Sequence, residues 1–467
     1  MDCKLTRREL LAGLSLTVCA AGPLSAASTD TVPLIPNNEH SLYRVRITVG
    51  IEGNAKVPKS ELSTDATRKL PVKADSVIDY EERLHRDGDG IAQAAQRYYY
   101  EATTKGKVQT NEVESELRRE SRHAVLHVAQ TRSIVYAAQT QLTTDELELL
   151  KVPVNSLAID RLLPNKSMKV NEAWEIESDL LATLFDMDAV QKSAVSATLA
   201  SFDDATAKVQ LLGTISASVD GVPTSLQLRG KLTFDRKQRT VTWLALAIRE
   251  ERGLSKAKPG FEVAAQIRVI RQAITKSNGI DSGEPIDLAI KPTQDKLLVD
   301  IRSKQGGFSV FCDRNWHLIS ENERFAQLRM IDNDRVIAQC DIRPMPKLKD
   351  GHQLTLEAFQ DDIRRTLDKR FSELLEAEEK VTSGGLRLLR VVAQGAVEEV
   401  PVQWIYLHFS DDQGHRSAAI FTLADQQVEA FGGGDHQFAE GFRFTPADDA
   451  ETKRVASASS LNAPANK

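Results

Sequence analysis

Few side chains in this chain stand at spacings that do chemistry, and each has a structural explanation beside it. His123 and His127 lie four apart, a step that puts both imidazoles on one side of a helix or a strand. A metal needs further Cys, Asp or Glu ligands nearby, or the H-E-x-x-H pattern, and the surrounding sequence has neither. Arg86-Asp87-Gly88-Asp89-Gly90 opens like a calcium loop, but Tyr98 occupies the step where a closing Glu would stand, so the stretch reads as a turn. Phe431-Gly432-Gly433-Gly434-Asp435-His436 is not followed by the Lys or Ser of a phosphate cradle, and a flexible connection is expected there. His408, Asp411, Asp412 and His415 crowd a hairpin whose polar ends account for them without a metal. No Gly-x-Ser-x-Gly elbow, P-loop or dinucleotide fingerprint occurs. The expectation is a non-enzyme with no catalytic set, no cofactor and no metal.

Of the four cysteines, Cys3 and Cys19 fall in an N-terminal segment that reads as an export signal. Lys4, Arg7 and Arg8 precede an apolar run from Leu10 to Leu24, and Ser25-Ala26-Ala27 offers small residues for cleavage. Thr6-Arg7-Arg8-Glu9-Leu10-Leu11 resembles a twin-arginine signal. The chain is thus expected outside the cytoplasm, periplasmic or otherwise extracytoplasmic, cleaved or anchored by an uncleaved signal. No later segment approaches membrane-spanning length. Cys312 and Cys340 remain. In an oxidising compartment an even pair suits a disulfide, while their positions on apolar strand faces suit two buried free thiols, and both readings stay open. A net charge of -6 and 27% charged residues describe an acidic soluble chain with no overall basic footprint, which argues against nucleic acid.

The elements that would carry these residues fall into two halves. In the first, Leu42–Gly50 and Pro71–Leu84 read as strands, and Thr143-Thr144-Asp145-Glu146 as a capped helix start. A second helix is expected over Ser178–Leu199. The strongest pattern is a meander of long strands over 208–219, 224–235, 240–249 and 262–271, apolar on one face and polar on the other, turning at Asp220-Gly221. Helices within 143–199 would cover its apolar face. Leu211, Leu226, Phe234 and Trp243 are the candidate ligand-contacting residues of a concave side. Leu142–Leu147, Leu162-Leu163-Pro164, Asn171-Glu172-Ala173-Trp174 and Glu250-Glu251-Arg252 resemble markers of exported bacterial proteins of unassigned function. The sheet is similar to the half-barrels of lipoprotein carriers such as LolA and LppX.

Ser277–Pro292 is rich in Gly, Ser and Pro and reads as a linker. Beyond it come three strands (308–313, 325–331, 335–343), one long helix over about 354–380, three more strands (386–397, 400–409, 417–423) and a closing segment to Phe444. Val400–Phe409 is apolar on both faces, as a strand covered on two sides would be. Gly306-Gly307-Phe308-Ser309-Val310-Phe311-Cys312-Asp313-Arg314-Asn315-Trp316 and Pro401-Val402-Gln403-Trp404-Ile405-Tyr406 resemble the PsbP-like family. That family includes a photosynthetic oxygen-evolving subunit, a nuclear-import factor for Ran and bacterial envelope proteins. The resemblance implies a docking scaffold and carries no catalytic residues.

The expected fold is α+β: a curved, half-barrel-like antiparallel sheet with covering helices, then a PsbP-like α/β/α sandwich. The expected boundaries are a signal over 1–27, a β-rich domain over 28–276, a linker over 277–300, the second domain over 301–445 and a disordered tail over 446–467. The expected function is that of an exported, non-catalytic binding or assembly protein of the bacterial envelope, with another envelope protein as partner. The alternative is a carrier holding a lipid or other apolar ligand on the concave face.

Overall fold

The computed structural model describes residues 31–445, apart from residues 38, 61–62, 257, 284–285, 289–290 and 349–351. The export signal and the tail from 446 onward lie outside the described residues. After a short strand, Thr31–Pro33, that pairs with Ser167–Lys169, the first region has strands β1 (Leu42–Ser60), β2 (Ser63–Arg86) and β3 (Ala92–Val108), then the shorter β4 (His123–Ala129) and β5 (Arg132–Ala137). Helices α1 (Thr144–Leu150) and α2 (Ser178–Phe185) flank a tight turn segment, Ser156–Leu162. The meander follows as β6 (Ala189–Phe202), β7 (Thr206–Val219), β8 (Val222–Asp235), β9 (Thr240–Arg252) and β10 (Gly260–Ala273). All ten strands belong to one 12-stranded sheet, because β10 runs antiparallel to β1 from Gly260 opposite Lys56 to Ala273 opposite Tyr43.

Alternation decides which way this sheet faces. In β7 and β8 buried residues recur at alternate positions, as at Val209, Leu211, Ile215 and Ala217 and at Leu226, Leu228, Leu232 and Phe234, with Gly213, Val219 and Gly230 half-buried at steps of the same alternation. The β7–β8 turn uses Asp220 at φ 52° and Gly221 at φ 77°, the pair of left-handed residues that a two-residue hairpin needs. A Cβ at Gly221 would also meet the Asn333 carbonyl carbon at 2.7 Å, so this hairpin packs directly on the second region.

The second region contributes β11 (Val299–Ser303), β12 (Phe308–Cys312), β13 (Trp316–Asn322), β14 (Phe325–Asp332) and β15 (Arg335–Met345). Then come α3 (Leu356–Leu367), β16 (Phe371–Val381), β17 (Arg387–Val397), β18 (Val400–Ser410), β19 (Arg416–Ala424), α4 (Gly434–Gly441) and β20 (Phe442–Phe444). A 7-stranded sheet runs β13-β14-β15-β19-β18-β17-β16. A smaller sheet runs β20-β12-β11 and ends on Leu142–Thr143 of the first region, which lies parallel to β11. β18 buries side chains on both faces: Trp404 and Tyr406 pack with Phe359, Ile363 and Leu367 of α3, while Ile405, Leu407 and Phe409 join the main core.

The expected α+β class is corrected. The chain is mostly β, about 59% strand and 16% helix, in large antiparallel sheets that do not close, without the helix-covered sandwich. Two expected helices account for the difference. The one over 354–380 stops at Leu367; Asp368 turns to φ 48°, and Phe371–Val381 becomes the outer strand, paired with β17 through two register shifts. The one over 178–199 stops at Phe185, where Asp186 takes φ 54°, and Val195, Ala197 and Leu199 then alternate into the core as β6. Both stretches have helix-forming composition, and long-range strand pairing overrides it.

Candidate functional site

Leu211, Leu226 and Phe234 share one face as expected, but that face is full. They are 5%, 5% and 1% exposed and lie in one apolar cluster with Leu157, Ile159 and Leu162 of the turn segment and Leu180, Leu181 and Leu184 of α2. The same cluster runs on into the second region, so the chain's own core covers these residues. Trp243 does not belong with them. A register shift between Thr233 and Phe234 resets the alternation in β9, so Val241 and Leu244 point inward and Trp243 stands outward beside Thr233 and Ile270. A cavity of about 20 Å³ lies beside Arg97, Ser133, Asn155 and Asp186, room for about one water rather than a lipid. An open groove of about 630 Å³ crosses the strand ends, and its lining is mixed, with Lys56, Ser216 and Glu251 beside Ala217 and Pro223.

The interior also holds charge, which the sequence reading missed. Glu82 on β2, Arg97 on β3 and Arg271 on β10 are 0%, 1% and 2% exposed. The turn segment completes them. Ser156 Oγ donates to Glu82 Oε2 at 2.6 Å and accepts from Arg97 Nη2 at 2.9 Å. Arg271 Nη1 donates to Asp160 Oδ2 at 2.5 Å, and the other Asp160 oxygen accepts from the Val241 amide at 2.9 Å. Arg271 lies 3.6 Å over the Tyr43 ring and Arg97 4.6 Å over Tyr80. Burial pushes the Tyr80 hydroxyl well above its ordinary value, so it stays protonated. The two cations are matched by two carboxylates, and the arrangement ties the turn segment to three strands of the wall. The sequence signal was present: Glu82 and Arg271 sit at inward-facing steps of otherwise apolar strands.

At the sheet's margin Arg132 of β5 binds Asp188 and, at 3.0 Å, Asp220 of the β7–β8 turn, which brings the two ends of the open sheet together. Burial would raise the Asp220 carboxyl, but Lys258, Lys151 and Arg132 around it hold it at about 2.

The outward face of β7–β10 has the opposite character. Arg229 and Lys231 on β8, Arg249 on β9 and Arg268 on β10 are exposed and have no ion pair or hydrogen bond among the described residues. Arg229 stands beside Leu212 and Ala247, and Lys231 is separated from Arg268 only by Ala245. Leu212 and Ile270 are 57% and 49% exposed within this field. The chain's net charge of -6 conceals it.

The remaining sequence candidates have structural partners. His123 packs against Tyr98 and His127 stacks on Tyr136, and burial lowers both pKa values. Among the described residues no three His, Cys, Asp or Glu are placed to hold a metal. Asp435 binds Arg390 at 2.6 Å, His415 binds Asp411 at 2.7 Å, and His408 accepts from Arg416 at 3.0 Å. Gly432 and Gly433 turn the chain into α4. Cys312 and Cys340 are buried free thiols whose pKa values burial raises. The expected linker is docked at its start: Ser277 Oγ and the Gly279 amide donate to Glu81 at 2.6 and 3.0 Å. No described helix is long and apolar enough to cross a membrane.

No family model matches this chain, and no curated protein matches it. Weak structural neighbours include the cyanobacterial PsbP of Synechocystis, 12% identical over 32% of this chain and 92% of that one, with a TM-score of 0.25. A protein of unknown function from Pseudomonas aeruginosa is 10% identical over 32% of this chain and 98% of its own, with a TM-score of 0.22. One from Bacteroides thetaiotaomicron is 11% identical over 31% of this chain, with a TM-score of 0.23; the match spans 47% of that protein's length. A PsbP-like neighbour is therefore present at low similarity. None of the three is described as a lipoprotein carrier, and at these scores none defines the fold or function of this chain.

Proposed function

We propose that this protein is a non-catalytic binding or assembly factor, exported to the bacterial cell envelope, and that it works by docking through its surface. The observation that supports this reading is the occupied concave side. Leu211, Leu226 and Phe234 are buried in the chain's own core, which also takes in the turn segment and α2, and Glu82, Arg97, Arg271 and Asp160 hold that segment in place. A carrier would have to break this buried ionic set before an acyl chain could enter. Docking needs no such rearrangement.

Native mass spectrometry of gently purified protein tests the choice. The expected result is a bare chain, together with a defined protein neighbour captured by cross-linking in intact envelopes. A lipid-sized adduct lost on denaturation would replace docking with the carrier.

A further inference from the structure

We propose that the outward face of β7–β10 is a docking surface for an anionic lipid membrane. This names the partner class for the docking reading above and rests on it.

The charge pattern carries the proposal. Outward positions on these strands, counted from the row of Thr233, Trp243 and Ile270 to the row of Gln227, Arg249 and Ala264, hold no acidic residue. They hold Arg229, Lys231, Arg249 and Arg268, with Lys208 at the corner opposite Thr233. Carboxylates return at its borders: Glu52 opposite Ala264, Asp235 two steps past Thr233, Glu175 two strands from Leu212, and Glu251 and Glu262, which pair with Lys56 and Lys69. Farther along the same sheet, the outward arginines Arg44 and Arg46 are already paired with Asp79. Other unpaired cations, such as Lys169, Lys192 and Lys369, lie elsewhere on the surface, but Arg229, Lys231, Arg249 and Arg268 share one acid-free field of an acidic protein.

The shape of the patch selects among anionic partners. From strand and residue spacings it measures about 15 Å by 20 Å, and its cations are spread in two dimensions rather than along a track. A nucleic acid strand would be followed by a line of cations or a groove. A membrane surface is itself a two-dimensional field of charge. Leu212, Ile270 and the half-buried Trp243 stand among the cations, and small Ala245 and Ala247 leave them prominent. Aliphatic tips, an indole and long basic side chains together suit the headgroup boundary of an anionic leaflet.

Co-sedimentation of the full chain with vesicles tests this. One set is phosphatidylcholine alone; in the other, part of it is replaced by phosphatidylglycerol. The neutral set registers any contribution from the apolar run Leu10–Leu24. Binding is expected to depend on phosphatidylglycerol and to weaken as salt rises. The combined variant Arg229→Glu, Lys231→Glu, Arg268→Glu should lose on the order of a hundredfold in affinity for the charged vesicles. The milder Arg229→Gln, Lys231→Gln, Arg268→Gln set should lose less, and Ile270→Asp should lower binding at salt concentrations where the wild type still sediments. Circular dichroism of each variant checks the fold.

Equal binding to both vesicle types overturns the proposal, as does a charge-reversed variant that still binds. Binding to a soluble polyanion such as heparin without binding to charged vesicles also overturns it, and assigns the face to an acidic polymer. If the vesicle result fails while the cross-linked protein neighbour persists, the docking reading stands and the lipid assignment alone falls. A lipid-sized adduct with no neighbour removes the docking reading itself.

Discussion

The two large sheets bury their side chains by different rules. β18 of the second region is covered on both sides, and its residues Trp404 through Phe409 go alternately to α3 and to the main core. Charge is buried there as well: Arg390, 6% exposed, meets Asp435, 1% exposed, at 2.6 Å and Glu376 at 2.5 Å. The first region's sheet buries one face only. Its concavity is wide enough to need the chain's own turn segment as filling, and that filling is fixed by fully buried ions. A sheet with two covered faces can offer a partner only its edges and loops. A sheet with one covered face leaves the other free to carry a chosen charge pattern, and over β7–β10 it is basic.

If buried ions rather than apolar area fix the turn segment, removing one of them should have the largest effect. Arg271→Met leaves Asp160 buried without its cation, and a loss of about 3–5 kcal/mol is expected. Hydrogen exchange followed by mass spectrometry should show the loss in β1, β10 and Ser156–Leu162. Adding Asp160→Leu should recover part of it, because the second substitution removes the stranded charge. It will not recover all, since Asp160 also accepts from the Val241 amide. A cost under about 1 kcal/mol for the single substitution would mean that the ions are incidental.

The second region should answer to acid instead. His408 is 1% exposed, and burial, followed by the nearby Arg416 and Arg387 cations, holds its pKa at about 4, down from 6.5. The folded state therefore favours the neutral ring. The stability it confers is complete above pH 6.5 and is lost as pH falls toward 4, up to about 3 kcal/mol. His408→Gln keeps an acceptor for Arg416 and removes the titration, so exchange in β17–β19 should become flat across that window. An unchanged acid profile would break the assignment to His408. The ion pair between Arg132 and Asp220 should outlast this change, because Asp220 titrates at about 2.

These contrasts explain what could be read from residues alone. The long strands of the meander were legible because each buries a single face, so composition and position agree residue by residue. β18 was legible for the complementary reason, with apolar residues on both faces. Trp243 was misplaced because a bulge one residue long inverts the alternation, and nothing in Thr240–Leu244 announces it. Phe371–Val381 was misread because Leu374, Glu376 and Glu379 suit a helix locally, while the pairing that makes it a strand comes from β17. The basic face lay in plain view at Arg229, Lys231, Arg249 and Arg268, yet the total charge averages it with acidic residues elsewhere. The interior ions needed the three-dimensional pairing of β2, β3 and β10 with the turn segment.

An element shared by both regions should show an intermediate effect. Thr143 caps α1, with its hydroxyl 3.2 Å from the Glu146 amide and its own amide 2.9 Å from the Glu146 carboxylate. It also lies opposite Asp300 of β11. Thr143→Ala removes one of these bonds, and about 1 kcal/mol is expected, seen as a lower unfolding midpoint. Glu146 stays anchored by Arg118 at 2.7 Å, which limits the damage.

The smallest effect belongs to the solvated side of α3. Arg364 donates to Asp361 at 2.8 Å across one helical turn, and both side chains are about half exposed. In that setting the attraction is screened by water and salt and offset by the freedom the two side chains give up. Arg364→Ala should change stability by no more than about 0.5 kcal/mol. The apolar stripe of Phe359, Ile363 and Leu367 holds the helix to β17 and β18 whatever its outer face carries. Phe359→Ala, which opens that stripe, should cost several times more, about 3 kcal/mol. Equal costs for the two would mean that α3 is held by charge after all, and the contrast between its apolar seat and the ion-fixed turn segment of the first region would dissolve.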